Sequence, residues 1–111
     1  MKLGLFTVLY PELDLESMLE CAQQLGCGAL EFSSLPGRGL RHFDSVEINR
    51  STLVRERFQE ELRKRDFIIS QLNCSCNALS PDPEQARQAC EAFELTFQLA
   101  EKLNVRTVGS F

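Results

Sequence analysis

The sequence predicts an α/β fold with parallel strands in the order β-α-β-α-β-α-β, forming part of a (βα)8 TIM barrel. Three observations carry this expectation. Short apolar runs without helical period alternate with amphipathic helical segments. Those runs are continuously apolar rather than alternating, as in parallel strands covered by helices. Nor does a glycine-rich phosphate turn follow the first strand, as it would in most doubly wound sheets, because Tyr10-Pro11-Glu12-Leu13 stands there instead.

The first strand is expected within Lys2 to Leu9, a run with Val and Phe of the right length for a buried strand. Asp14 can cap a helix whose apolar residues Leu15, Met18, Leu19, Ala22 and Leu25 recur at three- and four-residue steps, with Gly26 placed to end it. Gly28 to Ser33 reads as the second strand, and Leu35 to Asn49 as a long connection. Ser51 can cap a second helix buried through Leu53, Val54, Phe58 and Leu62. Phe67 to Asn73 is the third strand, β-branched and apolar at its start.

Asp82 then suits an N-cap, Pro83 the first helical position, where its missing N–H has no partner to lose, and Gln85 the closing position of a capping box. The helix that follows is expected to bury Ala86, Ala89, Cys90, Phe93, Phe97, Ala100 and Leu103, with Asn104 taking a left-handed stop. Val105 to Phe111 completes the series as a fourth strand. Right-handed crossovers between sequential strands put every helix on one side of the sheet. The other face is tolerable only where the sheet curls so that its inner side chains meet, which in a full barrel takes eight strands and ~250 residues. Gly26-Cys27-Gly28 precedes a strand and Gly37-Arg38-Gly39 lies in a loop, so neither supports a nucleotide fingerprint and the competing doubly wound sheet.

The length of 111 residues points to one domain, 1–111. A 43% hydrophobic and 25% charged composition excludes disorder and a membrane span. The net charge of -4 speaks against nucleic acid as a partner. The richest basic run, Arg55, Arg57, Arg63, Lys64 and Arg65, is interleaved with Glu56, Glu60 and Glu61 as on a solvated helix face. The apolar start leads into Pro11-Glu12-Leu13-Asp14 without a cleavage site for export, and five cysteines are an odd number, so reduced thiols and a cytoplasmic location are expected. Three of the five sit where a small apolar side chain would fit a core.

In parallel α/β folds ligands bind beyond the carboxyl ends of the strands. The positions to inspect are Thr7 to Tyr10, Glu31 to Ser34, Asn73 to Asn77, and Ser110 with Phe111, to which the long connection adds Arg38, Arg41, His42 and Asp44. Glu31 can accept hydrogen bonds from a hydroxylated ligand, or pair with a rim cation. His42 with Asp44 could form an oriented imidazole, or be a merely exposed histidine. Cys74-Ser75-Cys76 lacks the spacing and the further ligands of a zinc site, and a nucleophilic Cys74 would need a base that the sequence does not reveal. Asn73 and Asn77 suit a turn as well as amide contacts to a substrate.

At these residues the chain resembles the amino-terminal half of the sugar phosphate isomerase/epimerase family, the xylose-isomerase-like TIM barrels. The resemblance rests on KLGLFTVL at the start, LEF around Glu31, His42-Phe43-Asp44, and above all LNCSCNALSPDPEQAR followed by a long helix and NVRTV. It implies a sugar or polyol substrate and a divalent metal (Mn, Mg, Co or Zn) whose ligands lie mostly on later strands, outside this segment. It also implies pocket roles for Glu31, His42 and Asn73, with Asn77 shaping the loop. Ser75 and Ser80 stand where relatives often carry histidine, which weakens any metal or acid–base role for this loop. The expected function is therefore the front part of an isomerase or epimerase, inactive without a carboxy-terminal half. The alternatives are a non-catalytic half-barrel that assembles with a complementary half or with itself and, more weakly, a relative of the barrel-type apurinic endonucleases.

Overall fold

A computed structural model describes residues 1–38 and 40–111; Gly39, at the end of the Gly37-Arg38-Gly39 run, lies outside the described residues. Four parallel strands, β1 (Gly4–Phe6), β2 (Ala29–Ser33), β3 (Ile68–Asn73) and β4 (Val108–Gly109), stand in chain order in one sheet. The helices are α1 (Leu15–Gln24), α2 (Ser45–Arg50), α3 (Thr52–Lys64) and α4 (Pro83–Leu103). This is the architecture of a partial (βα)8 barrel.

The caps follow from local chemistry. The side chains of Asp14, Ser51 and Asp82 accept backbone N–H bonds from Ser17, Val54 and Glu84, satisfying donors that have no partner inside their helices. Asn104 closes α4 at φ 56°, in the left-handed region that asparagine tolerates better than most residues. Gln85 departs from the expected capping box. Its Oε1 accepts from the Ser80 hydroxyl, while the Asp82 N–H donates to Ser80 Oγ, so Ser80 occupies the space between them.

One apolar cluster joins Met18, Leu19 and Ala22 of α1, Phe58 and Leu62 of α3, and Leu99 and Leu103 of α4 to Leu30, Phe32 and Leu72 of the sheet. All the helices therefore cover the same face, as right-handed crossovers between sequential strands require. The Phe32 ring sits at the centre, stacked on Phe43 at 4.8 Å and edge-on to Phe58 at 5.4 Å.

Four further expectations are corrected. The first strand ends at Phe6, and Thr7–Leu9 forms a 3-10 turn; the fourth is confined to Val108–Gly109. The second connection contains α2, capped by Asp44 through the Glu47 N–H. The buried stripe of α4 is Ala89, Ala92, Thr96, Leu99, Ala100 and Leu103, whereas Cys90 is exposed and Phe97 is 58% exposed. Phe93 and Phe97 stack on each other at 6.2 Å outside the core. At 3.6 residues per turn these rings lie roughly 140° around α4 from Gln98 and Lys102. Gln98 and Lys102 bond Asn49 of α2, so the rings face away from that neighbour.

Candidate functional site

Strand register decides which side chains share a face. Leu30 and Phe32 point toward the helices, so Ala29, Glu31 and Ser33 point to the opposite face, away from the helices, where Ala29 and Ser33 are nevertheless buried, and Phe6 joins them by pairing with Glu31. The β2–β3 ladder is irregular between Leu30 and Glu31: Leu30 pairs with Ile69, but Glu31 pairs with Gln71. Skipping Ser70 brings Gln71 onto the face of Glu31 and Asn73 onto that of Ser33.

The result is a polar group at the carboxyl ends of the strands. Gln71 Nε2 donates to Glu31 Oε1 at 2.9 Å, both side chains being half-buried. Gly109 makes room for this pair, since a Cβ there would stand 2.2 Å from Gln71 Nε2. Asn73 lies two residues beyond Gln71, and its Oδ1 accepts the Ser75 hydroxyl at 2.5 Å. One carboxylate oxygen of Glu31 is thus held by Gln71, and the Asn73 carbonyl by Ser75. The second Glu31 oxygen and the Asn73 amide N–H groups are left as an acceptor and donors of fixed orientation.

Behind this group the strand ends are tied to α4. Ser34, fully buried, donates its backbone N–H to the Asn73 carbonyl at 2.9 Å, and its hydroxyl meets Thr96 Oγ1 at 2.7 Å. Thr96 in turn donates to the Ala92 carbonyl. A buried polar network of this kind is stable only when each member is satisfied, and these members are.

The other predicted residues lie elsewhere. His42 is 4% exposed and packs beside Phe32 on the helix side, at 6.1 Å between ring centroids. Its Nδ1 pairs with the Leu13 carbonyl rather than with Asp44, whose carboxylate is engaged in the α2 cap. Nε2 of His42 and Oγ1 of Thr7 are the two buried side-chain polar atoms without a partner among the described residues. Burial pushes the imidazole pKa below its ordinary value, opposed by the Leu13 carbonyl. Asn77 is exposed, and its Oδ1 accepts from the Leu79 N–H in an Asx turn that shapes the loop. Arg41 donates to the Glu12 carbonyl, tying the two loops together.

Glu31 and Asn73 are therefore brought onto one face, while His42 and Asn77 are not placed with them. Gln71 and Thr96 escaped the sequence reading, and Ser34, at the end of the inspected Glu31 to Ser34 segment, was given no role there. A glutamine inside an otherwise apolar strand was the available signal for the first, but its meeting with Glu31 depends on the skipped Ser70.

Among the described residues no three His, Cys, Asp or Glu side chains are gathered as a metal site would need. The divalent ion implied by the resemblance is thus not matched by ligands in this segment. No helix among the described residues is long and apolar enough to cross a membrane.

Comparison with known proteins places this geometry in context. No protein-family model matches the chain. It is 32% identical over 108 residues to the uncharacterized protein YfiH of Bacillus subtilis (strain 168), covering 97% of this chain and 34% of that one. Among solved structures it is similar to the probable 3-DHS dehydratase AsbF, involved in petrobactin synthesis in Bacillus anthracis. The TM-score is 0.65 at 17% identity, over 100% of this chain and 38% of AsbF. The chain spans little more than a third of the length of either protein, and at that identity the likeness to AsbF is one of fold.

Proposed function

We propose that the chain is the amino-terminal part of a metal-assisted sugar or sugar-phosphate isomerase or epimerase of the xylose-isomerase-like kind, a single unit over residues 1–111 that is inactive without the carboxy-terminal part of the barrel. The observation that carries this reading is the Glu31–Gln71–Asn73 group on the uncovered face at the strand ends. Core packing gives no reason to spend a carboxylate and two amides there. A ligand rich in hydroxyl groups does, because Glu31 accepts from one hydroxyl and the Asn73 amide donates to another.

Glu31 and Asn73 are substrate contacts in this reading and Asn77 shapes the loop beside them, whereas His42, expected as a third contact, is buried beside Phe32 on the helix side and is not one. A divalent ion, Mn, Mg, Co or Zn, would be held by residues outside this segment and would supply charge stabilisation there. The substrate is a sugar or polyol, and neither nucleic acid nor a membrane is a partner. The compartment is the cytoplasm.

A second reading is a non-catalytic half-barrel that binds a complementary half, which would cover the 58% exposed Phe97. In both readings the Phe93–Phe97 stripe is covered by a further helix and the free edge of β4 by a further strand.

The test is interconversion of sugar isomers or epimers, followed by NMR with a panel of aldoses, ketoses and their phosphates and added manganese. The protein is the barrel that contains this chain. Turnover that falls at least tenfold in Glu31→Gln and in Asn73→Ala is expected. Turnover unchanged in both variants would overturn the assignment, and tight assembly with a complementary half without any turnover would select the second reading.

A further inference from the structure

The loop after β3 holds two thiols whose placement the proposed function does not use. The Cys74 N–H donates to the Gly109 carbonyl at 2.8 Å, extending the β3–β4 ladder by one bond and fixing Cys74 in a fully buried position. Two residues later the chain reverses: the Cys76 N–H donates to the Cys74 carbonyl at 3.0 Å, a three-residue γ-turn centred on Ser75. In an extended strand the α-carbons of residues i and i+2 stand about 6.6 Å apart, close to the upper limit that a disulfide spans. The turn draws them together, and Cys74 Sγ lies 3.5 Å from Cys76 Sγ, in van der Waals contact. Cys76 is half-buried with its Sγ against the Ala89 carbonyl.

We propose that Cys74 and Cys76 form a reversible dithiol–disulfide pair, closed by a small hydroperoxide, whose formation re-aims Ser75 and Asn73 and so controls the polar group at the end of β3. The order of steps follows from exposure. The Cys76 thiolate, which solvent reaches, attacks the distal oxygen of hydrogen peroxide. The O–O bond breaks, hydroxide leaves and is protonated to water, and the sulfur is oxidised to a sulfenic acid. The Cys74 thiol, shielded from external oxidants, then attacks that sulfur. The S–O bond breaks, the S–S bond forms and a second water leaves, the peroxide having accepted two electrons in all.

A sulfur–sulfur bond of about 2.05 Å requires the two atoms to approach by about 1.5 Å. That movement must pass through the Ser75 turn, whose hydroxyl holds Asn73 Oδ1. A ring closed across one intervening residue is strained and hence easily reduced, which suits a switch rather than a staple. Burial raises the Cys76 pKa to about 11, helped by the Cys74 thiol and by nearby Cys90. Closure is accordingly slow at neutral pH and accelerates as the pH rises toward that value.

The experiment treats the chain with stoichiometric hydrogen peroxide, counts free thiols with a maleimide and maps the linked peptide by mass spectrometry. It needs no substrate, so its failure is separate from failure of the isomerase reading. Expected are a fall from five free thiols to three when they are counted after unfolding in denaturant, a peptide joining Cys74 to Cys76, recovery with dithiothreitol, and a shifted Asn73 side-chain amide resonance in the oxidised form. Cys76→Ser and Cys74→Ala should lose the bridge, while Cys90→Ser should keep it. Cys76→Ser is the variant to rely on if the buried Cys74 substitution unfolds the chain. A bridge to Cys90, Cys21 or Cys27, or sulfenylation of Cys76 that persists without closure, would overturn the proposal.

Discussion

Leu30, Phe32 and Leu72 lie fully buried on the helix-covered face of the sheet, while across the same backbone Ile68 is 50% exposed and Glu31, Gln71 and Asn73 are only half-buried. Both faces are made by the same strands, so strand propensity does not distinguish them. The covered face is apolar and aromatic and supplies the stability. The uncovered face carries hydrogen-bonding groups that cost stability unless they are paired with each other or with a ligand. The apolar core and the polar group are thus separated by the two-residue period of the strand, and a single skipped residue, Ser70, decides which polar side chains meet.

Substitutions should resolve this division, and the largest effect belongs to the covered face. Phe32→Ala removes the ring shared by Phe43 and Phe58 and is expected to cost about 3–5 kcal/mol, a large part of a domain's stability, read as a steep drop in the urea midpoint. Thr96→Val breaks the buried link between α4 and the strand ends and should cost about 1–3 kcal/mol. Combining it with Ser34→Ala should cost less than the two singly, because neither hydroxyl is then left without its partner. Asp82→Ala exposes two first-turn donors of α4 and should lower stability by about 1 kcal/mol in the same assay.

A smaller effect is expected from pH. The folded-state pKa of His42 lies below its ordinary value of 6.5, so the unfolded chain binds the proton more readily. The stability that neutral His42 supports is complete above 6.5 and is lost as the pH falls toward the depressed value. The urea midpoint should drop between about pH 7.5 and about pH 5.5, and His42→Phe should flatten that drop. On the uncovered face Ile68→Thr should change stability by no more than about 0.5 kcal/mol. A loss there as large as that of Phe32→Ala would show that the face is buried in solution and erase the distinction between the two sides.

Much of this architecture was legible in the sequence because caps and periodicity are local. Asp14, Ser51, Asp82 and Asn104 mark the ends of their helices by chemistry that acts over three or four residues. What escaped depends on distant partners. The six residues of α2 are too few to show a period, and Asp44, which caps them, drew attention as a neighbour of His42 instead. On α4 the expected stripe held for Ala89, Ala100 and Leu103, but the larger rings of Phe93 and Phe97 drew it partly onto an exposed neighbouring stripe. Ala92, Thr96 and Leu99 complete the buried set, and Thr96 is fixed there by its contact with Ser34, a partner distant in sequence. Glu31 and Asn73 could be picked out from their place after a strand, but the Gln71 contact could not, since an unbroken register would have set Ser70 beside Glu31.

The match between strand order in the sheet and order along the chain also bears on biosynthesis. A ribosome delivers each βα unit directly next to the one just completed, and no early strand must wait for a late one to be threaded between its neighbours. Loop-closure entropy is met in small local steps. Each strand needs only its immediate predecessor as a pairing partner, so β4 can form as soon as β3 is in place.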